Sequence, residues 1–194
     1  MEFVETFPDK ITEKTQLQRF LGSLNYVNHF YKYCAKDRKI LNGRIKNDHM
    51  PWTEAHIEAV RKIKSKVRHF PTLHVASDEL FKIVESDAND QGWGVVLKQV
   101  KARISKPHEE IIQFASGTWL DNEKNYATIE KEIKVTLNAI NKFRIYLINK
   151  KIMLRTNVAA MNKVLHKKIT KASEAKFVRW RALIANFDYN IEHI

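Results

Sequence analysis

Cysteine is almost missing from this chain. Cys34 is the single one in 194 residues, which excludes an internal disulfide and fits a reducing compartment. Without a second thiol it reads as a small buried hydrophobe. Glycine and proline are also scarce, at 5 and 4, which argues against a disordered or fibrous chain. No apolar run approaches the ~18 residues of a membrane span, and the N-terminus lacks a signal-peptide core, so no membrane partner is expected. There is no internal repeat and no low-complexity tract.

What is there is hydrophobic, aromatic and basic. Hydrophobic residues make up 44%, with ten Phe and four Trp, enough for one large or two small packed domains. The formal net charge is +12 and the pI about 9.7. Such a balance implies an anionic partner, nucleic acid first, with a solvated lysine-rich surface as the alternative. Two clusters favour nucleic acid. One is Arg61, Lys62, Lys64, Lys66 and Arg68; the other is Lys163, Lys167, Lys168, Lys171, Lys176 and Arg179, opposed only by Glu174. Residues 1–76 hold 14 basic and 8 acidic side chains, and residues 77–194 hold 20 and 14. The excess is the same in both, so neither half is merely a basic tail.

The periodicity divides the chain. From Thr15, Leu17, Phe20, Leu21, Leu24 and Val27 recur at helical spacing, and the apolar face continues through Tyr31, Tyr33 and Leu41 until Asn42-Gly43 stops it. Thr53 is an N-cap with Glu54 in the first turn of a second amphipathic helix, which ends before Pro71. Pro71 to Asp78 is a linker, and a domain boundary is placed at residue 76. After it, Phe81–Leu97 reads as strand, tight turn, strand, with turn chemistry at Asn89-Asp90-Gln91-Gly92. A polar hairpin follows from Lys98 to Glu109, and Ile111–Ala115 is a third strand. A long helix is expected to open at Asp121-Asn122, followed by a strand over Ile152–Thr156. Helices are then expected over Val158–Leu165 and Ser173–Ala185, and a final alternating strand over Phe187–Glu192. The order is β-β-β-α-β-α-α-β, an α/β fold.

Two carboxylates stand out. Asp87 sits at the mouth of an apolar strand with no cation beside it in sequence, as in a hard-metal site, although a turn-capping role is the alternative. Glu132 is bracketed on the apolar helix face by Ile129, Ile133 and Thr136, whereas Glu130 points elsewhere. A glutamate there is costly unless it is paired, at the rim, or metal-bound.

With these residues in place, the chain resembles the ribonuclease H domain of retroelement reverse transcriptases. The stretches that carry the likeness are Glu85–Gly94, Phe114-Ala115-Ser116-Gly117, Asn125–Glu132, Lys142–Leu147, Leu154-Arg155-Thr156 and Arg179-Trp180. Upstream, Phe7-Pro8-Asp9, Leu17–Tyr26 and Pro51-Trp52-Thr53 are similar to the thumb and connection region of the same polyproteins. Phe70–His74 and Ile191–Ile194 are most similar to plant pararetroviruses of the caulimovirus family.

The resemblance implies a ribonuclease H-like five-stranded mixed sheet flanked by helices over residues 77–194, preceded by a small mainly helical connection segment over 1–76. It implies hydrolysis of the RNA strand of RNA–DNA hybrids, with two Mg²⁺ ions about 4 Å apart, or Mn²⁺ in their place, clamping the scissile phosphate. The family's first acidic residue falls on Asp87 and its glutamate on Glu132. Its third acidic position falls on Asn157, which keeps the shape and lacks the charge. Its fourth lies on a helix beyond Ile194, so two of the four expected ligands are present and weakened cleavage is expected. Contacts to sugar and phosphate are expected from Asn89, Ser116, Asn125 and Thr128, with Arg61, Lys62, Lys64, Lys167 and Lys168 gripping the backbone. No Tyr-x-Asp-Asp turn occurs, so copying needs the polymerase portion of the polyprotein as partner. The implied location is host cytoplasm or virion. A non-catalytic hybrid-binding connection module is the alternative. A protein-interaction platform built on the apolar faces of residues 15–41 is a third reading.

Overall fold

The computed structural model describes residue 4 and residues 6–47, 51–101, 108–158, 161 and 175–194. Ahead of the sheet lie helices α1 Lys14–Val27, α2 Cys34–Lys46 and α3 Glu54–Arg68. The single long apolar pattern from Thr15 to Leu41 is therefore two helices. A 3₁₀ turn at Asn28–Phe30 and a left-handed Tyr33, φ 63°, reverse the chain between them. Asn42-Gly43 does not stop α2, which runs to Lys46. Burial of Leu41 and Cys34 against the neighbouring helices outweighs the local preference against glycine. Leu17, Phe20, Leu24, Tyr31, Val60, Ile63 and Val67 complete this first core.

The strands are β1 Phe81–Asn89, β2 Gly92–Val100, β3 Glu110–Gly117, β4 Lys151–Thr156 and β5 Asp188–His193. They form one sheet in the order β3-β2-β1-β4-β5, antiparallel through β3, β2 and β1 and parallel through β1, β4 and β5. This is the expected five-stranded mixed sheet. Helices α4 Thr128–Lys142 and α5 Arg144–Leu147 precede β4, and α6 Ala175–Ile184 precedes β5. Val84, Leu97, Ile133, Ile140, Phe143, Ile152 and Leu154 bury the second core between sheet and helices. Each such side chain is worth about 1.5–3 kcal/mol of transfer free energy.

Three local expectations change. Asp87 lies within β1, opposite Gly94, because the strand continues to Asn89. β2 runs past the expected Leu97 to Val100, so Lys98 is already paired, opposite Ile111, in the β2–β3 hairpin, and residues 102–107 of that hairpin lie outside the described residues. The long helix opens at Thr128, not at Asp121-Asn122. The buried Glu123 carboxylate accepts the Leu120 N–H at 3.1 Å and holds residues 121–125 as turns. Glu130 accepts the Ala127 N–H at 3.0 Å and so fixes the true helix start. The helix expected over Val158–Leu165 lies mostly outside the described residues.

The linker is pinned although it has no regular structure. The Gln99 side chain donates to Val75 O at 3.0 Å and accepts from Ser77 N at 2.8 Å. Buried Lys82 donates to the carbonyls of Ser77 and Leu80. The His74 N–H donates to Ile111 O at 2.8 Å.

Candidate active site

Three elements bring Asp87, Glu132 and Asn157 together. Asp87 projects from β1, Glu132 from the second turn of α4, and Asn157 follows the last residue of β4, the strand parallel to β1. Asn157 Nδ2 donates to Asp87 Oδ1 over a long 3.5 Å. Glu132 is only 3% exposed. Its carboxylate takes a hydrogen bond from the Thr156 hydroxyl, at 3.4 Å, and one from the Ala88 N–H. Thr136, one turn along α4, donates to Glu132 O at 3.0 Å and faces Ser86 of β1, which ties the helix to the strand.

The electrostatics are unbalanced. Burial, and then the Asp87 charge, push the Glu132 carboxyl up to about 6 against the relief of its two hydrogen bonds. Among the described residues no lysine or arginine forms a salt bridge with Asp87 or Glu132. The cations on the same strands are engaged elsewhere. Lys98 pairs with Glu85 at 2.6 Å and Glu109 at 3.0 Å, and Arg155 pairs with Glu109 and Glu192 at 2.5 Å each.

The donor chemistry fits one hard divalent cation: two oxygen carboxylates, mutually repelling, with no compensating charge. It does not supply the set a two-metal site needs. Among the described residues no group of three His, Cys, Asp or Glu side chains is placed to hold a metal. Asn157 adds an amide beside Asp87, not a carboxylate.

A residue of the helical segment also reaches the site. Tyr33 donates its hydroxyl to Asp87 Oδ2 at 2.8 Å. Burial first, and then Asp87, push this phenol up to about 12. Its ring lies over Gly94, where an added Cβ would sit 2.4 Å from the ring. Beside it, Ser116 Oγ accepts the Ala35 N–H at 3.0 Å. A pocket of about 190 Å³ opens here, lined by Lys32, Tyr33, Asp87, Asn157, Phe114 and Ile194 among others. Nothing in the local pattern around Tyr33 signals this, because the contact spans 54 positions. Thr156 and Ala88 lie in stretches that carry the resemblance, but their hydrogen bonds to Glu132 have no local signal either.

Of the other expected contact residues, Ser116 lies beside the site, across β2 from Asp87. The Asn89 side chain accepts the N–H groups of Gln91 and Gly92, closing the β1–β2 turn. Ser116 is engaged with Ala35, and Asn125 and Thr128 are exposed near the start of α4. Of the basic residues, Arg61 and Lys64 pair with Asp9 at 2.9 and 2.7 Å, and Lys62 with Asp37 at 2.8 Å. Lys167 and Lys168 lie outside the described residues. Lys176 pairs with Glu130 at 2.5 Å and sits 4.1 Å from the Tyr126 ring centroid.

Comparison with known proteins gives this arrangement its setting. A family model described as an RNase H-like domain found in reverse transcriptase matches residues 77–187. Over the whole of this chain, the enzymatic polyprotein of Cauliflower mosaic virus (strain D/H) is 34% identical and that of Carnation etched ring virus 32%. The chain spans 29% of the length of each of these curated relatives. Among solved structures, the foamy viral protease-reverse transcriptase dRH in complex with ds DNA matches all of this chain with a TM-score of 0.82. The identity is 17%, and 34% of that chain is covered. The foamy viral protease-reverse transcriptase in complex with RNA/DNA hybrid matches all of this chain at 0.79 with 16% identity, over 26% of its own length. At those identities the likeness speaks to fold, and it takes in the leading helices as well as the sheet.

Proposed function

This chain belongs to the family of RNase H-like domains found in reverse transcriptases, and from that premise we propose that it acts on RNA–DNA hybrids as a cation-dependent endonuclease of the RNA strand, weakened by Asn157. One observation carries the reading. Asp87 and Glu132, far apart in sequence, meet beside the β1–β4 junction as uncompensated carboxylates. The reaction adds water across a phosphodiester bond. The water oxygen bonds to phosphorus, the bond to the 3′ oxygen breaks, and that oxygen ends with a proton.

Asp87 and Glu132 would hold a Mg²⁺ ion, or Mn²⁺ in its place, which supplies charge against the phosphate and lowers the pKa of bound water. Thr156 and the Ala88 N–H orient Glu132 for this task. Asn157 orients Asp87. Residues 77–194 form the nuclease-like unit in this proposal, and residues 1–76 a helical connection segment. The polymerase portion of a longer polyprotein is the partner, in host cytoplasm or virion. No helix among the described residues is long and apolar enough to cross a membrane.

The test is Asn157→Asp. It restores a carboxylate beside Asp87, and hybrid cleavage in Mg²⁺ should rise at least tenfold. A variant that changes neither Mg²⁺ binding nor cleavage removes position 157 from the site. A second reading, a module that holds the hybrid without cutting it, is favoured by the Asn157–Asp87 hydrogen bond, which sets a neutral amide rather than a charge beside Asp87. Tight hybrid binding in a gel shift, with no cleavage even after the repair at 157, selects that reading.

A further inference from the structure

The contact between Tyr33 and Asp87 joins the helical segment to the candidate site, and neither the family match nor the acidic pair accounts for it. The hydroxyl lies 2.8 Å from Asp87 Oδ2 while Asn157 Nδ2 occupies Oδ1, so both oxygens of this carboxylate already have a donor. Tyr33 reaches the site in an uncommon way. It is one of two non-glycine residues among those described with positive φ, at 63°. The residue across from Asp87 on β2 is glycine, and the ring rests where any Cβ would stand. A second tether, from the Ala35 N–H to Ser116 Oγ, fastens the same turn to β3.

We propose that Tyr33 is a guard on Asp87, so that seating of the helical segment through this hydroxyl and occupation of the acidic pair by a divalent cation oppose one another. The proposal rests on the reading of Asp87 and Glu132 as a cation site. The physical basis is competition for one carboxylate. A donated hydrogen bond takes up a lone pair and part of the negative charge that a hard cation draws on. By linkage the opposition is reciprocal: the cation loosens the turn at Tyr33 by the same factor that the turn weakens the cation. Tyr33 is in this sense a positioning residue with a regulatory consequence. It fixes Asp87 while the site is empty and must let go when the site fills.

Mg²⁺ titration calorimetry on the 194-residue chain tests this, beside Tyr33→Phe and Gly94→Ala. The first deletes the hydroxyl and keeps the ring. The second puts a methyl where the ring lies and displaces it. Both are expected to bind Mg²⁺ more tightly, Tyr33→Phe by about tenfold, the worth of one hydrogen bond to a charged acceptor. In the unmodified chain, Mg²⁺ is expected to speed amide hydrogen exchange at Ala35, Lys36 and Asp37. Their N–H groups hold this turn, and the measurement needs no variant to fold. Equal affinities with unchanged exchange overturn the guard and leave the cation site standing, as does weaker binding by Tyr33→Phe. Absence of Mg²⁺ binding in all three chains, matched by Asp87→Asn, overturns both.

Discussion

Glu132→Gln should make the protein more stable at neutral pH, although it removes a residue of the candidate site. The side chain is 3% exposed, and its carboxyl is lifted from the ordinary 4.5 to about 6 by burial and then by Asp87. At 1.36 kcal/mol per pH unit, the ionised form is disfavoured in the fold by about 2 kcal/mol relative to the neutral form. The folded value is raised, so the associated stability is fully present below pH 4.5 and is lost as pH rises through about 6. The glutamine amide has the same shape, keeps one acceptor oxygen for this pair of donors, and carries no charge. Urea unfolding in EDTA should therefore give similar stabilities for the two chains at pH 4.5. At pH 7.5 Glu132→Gln should lead by about 2 kcal/mol. Parallel pH profiles between 4.5 and 7.5 would refute the claim that Glu132 is a buried, uncompensated charge. Adding Mg²⁺ at pH 7.5 should close the gap by stabilising only the unmodified chain.

Asn157→Asp adds a third negative charge and should lower stability in EDTA at pH 7.5, with Mg²⁺ recovering more than the loss; chemical denaturation with and without the cation measures both. Asp37→Asn should cost about 1–3 kcal/mol, because buried Asp37 accepts from Tyr31 at 3.1 Å and from Lys66 at 2.6 Å. Burial pushes that carboxyl up, but the hydrogen bonds from Lys62 and Lys66 outweigh it and hold it below 3.8. Its stabilisation is thus present above pH 3.8 and lost as pH falls through the folded value, which acid titration of both chains would resolve. Phe143→Ala, at a site with 0% exposure in the sheet core, should cost about 3–5 kcal/mol in thermal or urea unfolding.

The sheet was legible because its strands carry their own signals. Phe81–Val84 and Val95–Leu97 flank a turn whose Asn89 closes it, and Tyr189 and Ile191 alternate with polar neighbours in β5. The placement of Glu132 on the packed side of its helix followed from three- and four-residue spacing alone. The helix boundaries did not. The break before Cys34 depends on Tyr33 reaching β1, and the delayed start of α4 depends on Glu123 turning back to Leu120. Both are decided by side chains whose partners no local window contains. Charge pairing was hidden from the sequence for a related reason. Arg61, Lys62 and Lys64 cluster in sequence, yet each is drawn to an aspartate of its own segment, Asp9 or Asp37.

Lys82 gives the strand-side end of the linker a fixed anchor, and Gln99 and Ile111 hold the stretch before it. If the turn bearing Tyr33 lifts from Asp87, the helices ahead of it remain leashed to the rim of the sheet and swing about that anchorage instead of drifting away. Re-seating is then an intramolecular event, governed by a high local concentration and indifferent to dilution. The grip of an ammonium on two carbonyls, remote from any chemistry, thereby shortens the free tether between helices and sheet.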